Sequence, residues 1–206
     1  MPKPGLAHDG VRPGLPFSGG GSSVRMPAGI HFTREMNLDK KNFWKLIDAS
    51  RLAADNDPEA QVDTLGELLL QLEADEIVEF DRLMAEHVNR AYHWDLWAAA
   101  YIIGGGCSDD GFMDFTGWLI GKGEQVFETA LRDADSLAGV VDEIDDECQV
   151  EGILYAPGKA WEEKTGRPGD DFPQHTYAFQ NGPHGESWDE DAVDARLPRL
   201  AARFNG

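Results

Sequence analysis

From Asp39 onward, hydrophobic residues return every three or four positions, and almost nowhere do they alternate. Phe43, Leu46, Ile47, Ser50 and Ala54 share one helical face behind Asp39 as an N-cap, with Trp44 beside the stripe. Asp57-Pro58 supplies a second cap and a first-turn proline, and Val62, Leu65, Leu69 and Leu72 mark the helix that follows. A break is expected at Ala74-Asp75. Ile77, Phe80, Met84, His87 and Ala91 then stay in register, which predicts a third helix continuing or kinking through Trp94 to Ile103, with Gly104 as its left-handed cap.

Beyond the glycines, Ser108 caps a helix whose face is Phe112, Phe115 and Leu119, stopped by Gly121 or Gly123. Val126, Phe127, Ala130 and Leu131 predict a short helix, Leu137 to Ile144 another, and Pro157 to Lys164 a further one closed by Gly166. After Gly166 breakers and aromatics alternate, so the expectation is an irregular C-terminal wrap with one short helix near Asp189 to Ala195. Phe172, Tyr177, Phe179 and Trp188 would pin that wrap to the core. Only His175 to Phe179 hints at a strand. The fold class is therefore mainly α: one helical domain of six to eight helices over residues 37–206, with no internal repeat.

Residues 1–36 differ in kind. Their Pro, Gly and Ser content carries neither period, so the segment is expected to be a disordered tail. It lacks the continuous apolar stretch of a signal peptide. Organised sequence begins close to Met36, which, ahead of Met26, is the expected start of translation and makes the tail an over-extended reading frame.

Composition adds two constraints. Of 206 residues, 41% are apolar and 10% aromatic, ample for one packed interior. Eighteen Lys and Arg stand against 38 Asp and Glu, a net of −20. Setting aside the tail's four cations and two anions leaves 14 against 36, so the helical part stands at −22. Such a chain repels a phosphate backbone and an anionic membrane, and no apolar run approaches the ~20 residues of a spanning helix. It attracts a partner with a basic surface. Cys107 and Cys148 are too few and too far apart for a disulfide framework, which points to a reducing cytoplasm.

Candidate chemistry gathers between Arg90 and Phe115. Trp94, Trp97 and Tyr101, with Arg90, His93 and Asp95, form a polar and aromatic group suited either to core packing or to a recognition pocket for a small ligand. Arg90 is expected to meet Asp95 across a kink, or Asp109 or Asp110 over the glycine turn. Cys107 precedes a helix start that would favour a thiolate, yet Asp109 and Asp110 oppose one, and His87, His93, His175 and His184 stand at no diagnostic spacing from it. Asp109, Asp110 and Asp114 are the densest carboxylates and offer oxygen ligands for Mg²⁺ or Ca²⁺, although first-turn aspartates also stabilise a helix through its dipole without a metal. The triple glycine lacks the lysine of a phosphate loop.

The blocks FWKLI at 43–47, RAYHWDLWAAAYIIGGGCSDDGFMDFTGWLIGKG at 90–123, FETALRDADSLA at 127–138 and SWDED at 187–191 resemble a bacterial family known only as a domain of unknown function, the 4240 family. The likeness runs from about Phe43 to Ala160. It implies a helical domain and assigns no activity, cofactor or catalytic residue.

Three functions follow from these residues. The preferred one is a non-catalytic protein-binding module, immunity-like in neutralising a basic partner, with no cofactor. The alternatives are a small metal-assisted hydrolase centred on the Cys107–Asp114 joint with His93 nearby, and a sensor that takes a small ligand in the aromatic pocket.

Overall fold

A computed structural model describes residues 38–142, 148–173, 175 and 182–205. Among these residues the chain forms nine α-helices and no strand. They are α1 (Lys40–Ala53), α2 (Pro58–Leu69), α3 (Ala74–Ala91), α4 (Trp94–Gly104), α5 (Asp109–Gly121), α6 (Glu124–Arg132), α7 (Ala156–Thr165), α8 (Val193–Arg196) and α9 (Pro198–Phe204). The tail at 1–36, the acidic run at 143–147 and the aromatics Tyr177 and Phe179 lie outside the described residues, as does most of the strand-like stretch.

Local capping chemistry starts the early helices where the sequence places them. The Asp39 carboxylate accepts the Asn42 N–H at 2.8 Å, Asp57 accepts from Glu59 and Ala60, and Ser108 Oγ accepts from Gly111 at 3.0 Å. Each such cap is worth about 1 kcal/mol. Ala74 begins α3 rather than marking a break, because the Glu76 carboxylate reaches back to the Glu73 N–H at 2.8 Å and the acidic first turn suits the helix dipole.

The stripes then bury as a single core. Trp118, Phe43, Phe80, Phe112, Phe115 and Phe127 are its largest fully buried side chains. Helix α1 packs on α2, α7 lies across α2 and α3, and α4 rests against α8 and α9. Gln61 ties three helices from inside: its amide donates to Ile47 O, Ser50 Oγ and Gly121 O at 3.1 to 3.3 Å. Burying that amide is tolerated because its donors are satisfied.

Four expectations are corrected. Helix α3 does not run on into α4; it ends at Ala91, and Tyr92 and His93 leave helical geometry. The left-handed cap is Gly105, at φ 64°, one residue beyond Gly104. The segment near Leu137 is a 3-10 turn, Ala134–Gly139, and the rest of the predicted helix reaches residues outside the description. Finally, the C-terminal stretch expected to be an irregular wrap holds a further helix, α9, opened by Pro198, since a first-turn proline has no helical N–H to lose. With α4 separate and α9 added, the mainly α domain carries nine α-helices among the described residues.

Candidate functional site

The break between α3 and α4 is built by His93. Its backbone is extended (φ −136°, ψ 140°), and its imidazole Nδ1 accepts the Asp95 N–H at 3.2 Å, an N-cap made by a ring nitrogen. Three contacts from the C-terminal segment hold the break from outside. The His184 N–H donates to Tyr92 O at 2.9 Å, and the Trp94 N–H donates to His184 O at 2.9 Å. The Trp188 indole N–H donates to Trp94 O at 2.8 Å. Gly185 lies directly on the His93 ring, where a Cβ would come within 2.6 Å of Cε1.

That segment also accounts for the aromatic group. Trp188 packs edge-on to Tyr101 with centroids 5.2 Å apart and edge-on to Trp94 at 6.1 Å. Trp97 stacks on Phe112 at 4.6 Å with the rings 4° from parallel. Of the three aromatics expected to line a recognition pocket, Trp94 and Tyr101 thus pack on Trp188 and Trp97 on Phe112, each of the three staying partly exposed.

The ion pairs at the joint differ from those expected. Arg90 reaches neither Asp95 nor Asp109 nor Asp110. Its guanidinium makes a two-point pair with Glu128 of α6, at 2.7 and 2.8 Å, locking α3 to α6. Asp95 pairs with Arg196, whose Nη2 also donates to Glu186 O at 2.9 Å. These partners lie 38 and 101 residues away in sequence.

At the glycine elbow, Gln149 lies where a Cβ on Gly111 would come within 3.3 Å of its Oε1 and one on Gly104 within 3.5 Å of its Nε2. Gly105 and Gly106 face open space. Burial, and then the charge of Asp109, pushes the Cys107 thiol up to about 12. At neutral pH it is a thiol, not a thiolate, which removes the basis for nucleophilic attack.

The aspartates divide. Asp109 faces Tyr92 and Cys107, raising the pKa of each, after burial. Asp110 and Asp114 instead share their electrostatic surroundings with Glu151 and Tyr155, and Asp114 also with Glu59 of α2. Burial and then Glu151, Asp110 and Glu59 lift Asp114 to about 6. Burial, Asp57 and Glu151 raise Glu59, and burial followed by Asp114, Glu151 and Asp110 raises the Tyr155 hydroxyl. Tyr155 itself is 50% exposed, an uncommon position for a large aromatic among the described residues.

Among the described residues no cationic side chain pairs with Glu59, Asp110, Asp114 or Glu151, and no group of three or more His, Cys, Asp and Glu is arranged to hold a metal ion. Asp109, Asp110 and Asp114 accordingly do not converge as a chelate. The sequence reading missed Glu59, Glu151 and Tyr155, which reach this face from two other elements, and Arg196, whose role depends on the C-terminal fold. Trp188 was placed against the core, but its seat at the joint was not foreseen.

No helix among the described residues is long and apolar enough to cross a membrane. No curated protein and no solved structure matches the chain. Residues 38–163 match the family described as Protein of unknown function (DUF4240), and the chain belongs to that family.

Proposed function

We propose that this chain is a non-catalytic module that binds a protein with a basic surface, through the face formed by Glu59, Asp110, Asp114 and Glu151 around Tyr155. One observation carries the reading. Burial, and then repulsion from Glu151, Asp110 and Glu59, lifts Asp114 to about 6, and no cationic side chain pairs with these four carboxylates among the described residues. Such a face is stabilised when a cation arrives, because every carboxylate on it gains at once. The half-exposed ring of Tyr155 adds a surface on which a guanidinium stacks. Neutralising a basic partner, as an immunity protein does, is the specific form this binding takes. A Cys107 thiol outside any disulfide suits a reducing cytoplasm.

The test is nuclear magnetic resonance titration of the whole protein with an arginine-rich peptide. Saturable shifts centred on Gly111, Gly152 and Tyr155, weakened about tenfold by the double change Asp114→Asn and Glu151→Gln, support the reading. Shifts of equal size over all acidic surfaces, unaffected by the double change, contradict it.

A further inference from the structure

Residues 182–188 lie over the break between α3 and α4 and are fastened there from several sides. The His184 N–H donates to Tyr92 O and the Trp94 N–H to His184 O, so that His184 and His93 pair in parallel. The Trp188 indole caps Trp94 O and packs against Trp94 and Tyr101. Arg196 Nη2 holds Glu186 O. We propose that this segment is an acid-released strap: a proton on His93 breaks the cap of α4 and frees 182–188, uncovering Trp94 and Tyr101. This goes beyond the acidic face and shares no residue with it.

The cap dictates the state of the ring. A backbone N–H can only donate, so the Asp95 N–H at 3.2 Å requires a lone pair on Nδ1, and the ring proton sits on Nε2. A histidinium carries protons on both nitrogens. Its Nδ1–H would point at the Asp95 N–H, which removes the cap and sets a positive charge against the positive end of the helix dipole. The carboxylate and hydroxyl caps at Asp39, Asp57 and Ser108 keep their acceptors in mild acid, whereas an imidazole cap loses its own.

Packing carries that change to the strap. Gly185, at φ 88°, rests on the ring, where a Cβ would come within 2.6 Å of Cε1 and 2.7 Å of Nε2. Around His93 stand Asp95 on α4, His184 and Glu186 on the strap, Arg132 and Asp133 at the end of α6, Asp135 in the 3-10 turn and Arg196 on α8. Asp133 and Asp135 are held by Arg199. Asp95 is the acceptor within reach, but its Oδ2 stands 3.5 Å from Nδ1, beyond a good hydrogen bond, so a histidinium must turn toward it. The turn moves the ring beneath Gly185. It also competes for the carboxylate that pairs with Arg196, the residue that holds Glu186 O.

Amide hydrogen exchange of the whole protein tests the strap. Protection of the Trp94 and His184 N–H groups and of the Trp188 indole is measured from about pH 7.5 to about pH 5, corrected for the intrinsic pH dependence of exchange, with the core amide of Leu119 as reference. Protection at the strap is expected to fall about fivefold to tenfold relative to Leu119, the effect of one lost cap. The midpoint should coincide with the titration of the His93 ring, followed through its imidazole nitrogen signals. His93→Asn, whose carboxamide caps at every pH, should remove the fall, and His184→Gln should retain it, since His184 engages through its backbone. The proposal is overturned if wild-type protection does not fall, if Leu119 falls in step, if the midpoint departs from the His93 titration, if His93→Asn keeps the fall, or if His184→Gln abolishes it. None of these outcomes touches the acidic face.

Discussion

Acid should weaken this fold through His87. The ring stacks on Phe43 with centroids 5.0 Å apart, lies 4.6 Å from Trp44 and meets Phe127 edge-on at 5.3 Å, and the residue is 1% exposed. Arg90 Nη1 stands 3.3 Å from Nδ1, so Nδ1 accepts and Nε2 carries the proton, with no hydrogen-bond partner among the described residues. Burial, and then the neighbouring Arg90 charge, depresses its pKa from 6.5 to about 4. The sign follows directly. Well above 6.5 the ring is neutral in both states. Between 6.5 and about 4 the unfolded chain takes up a proton that the folded ring refuses, so stability falls as pH falls through that window. At ~1.36 kcal/mol per pH unit between 6.5 and about 4, the loss between neutral pH and a pH near the folded value is roughly 3 kcal/mol. Urea unfolding across that range, in the wild type and in His87→Phe, isolates the contribution, because nearby carboxylates such as Glu86 and Glu128 titrate in both proteins. The variant should lose roughly 3 kcal/mol less on acidification. Equal pH slopes for the two proteins would refute the reasoning.

Three further outcomes are expected. Gly117→Ala places a methyl group 2.4 Å from Ile153 Cγ2 and should cost about 1 to 3 kcal/mol in chemical unfolding, whereas Gly105→Ala, strained at φ 64° but facing open space, should cost about 1 kcal/mol. Iodoacetamide should label Cys107 in the native protein far more slowly than in urea at neutral pH, since burial and Asp109 hold the thiol protonated; equal rates would restore a reactive cysteine. A double-mutant cycle on Arg90 and Glu128 should give a coupling of about 1 kcal/mol or less, shrinking with added salt, because both side chains are partly solvated.

Much of the helical order was legible from residues alone, for a local reason. Asp39, Asp57 and Ser108 cap through bonds to N–H groups two or three positions on, so sequence spacing contains the answer. The break at Tyr92 and His93 was not legible, because the apolar period runs through it unbroken and the cap is an imidazole. The helix opened by Pro198 falls in the stretch expected to be an irregular wrap, a distinction set by whether Leu200 finds the core. The Arg90 partner was misassigned for the same kind of reason: helical spacing offers Asp95 and the elbow aspartates, while the choice of Glu128 depends on how α3 and α6 dock. The acidic face was half visible. Asp110 and Asp114 share a helix face at i, i+4, but Glu59, Glu151 and Tyr155 join them only through tertiary packing.

The most direct test of the proposed binding face is the titration of the Asp114 carboxyl carbon, followed by nuclear magnetic resonance with and without the arginine-rich peptide. The account predicts a midpoint near 6 in the free protein and a lower one in the complex, so that binding tightens as pH rises through that value. A midpoint at the ordinary aspartate value in the free protein, or one that the peptide leaves unmoved, would contradict it.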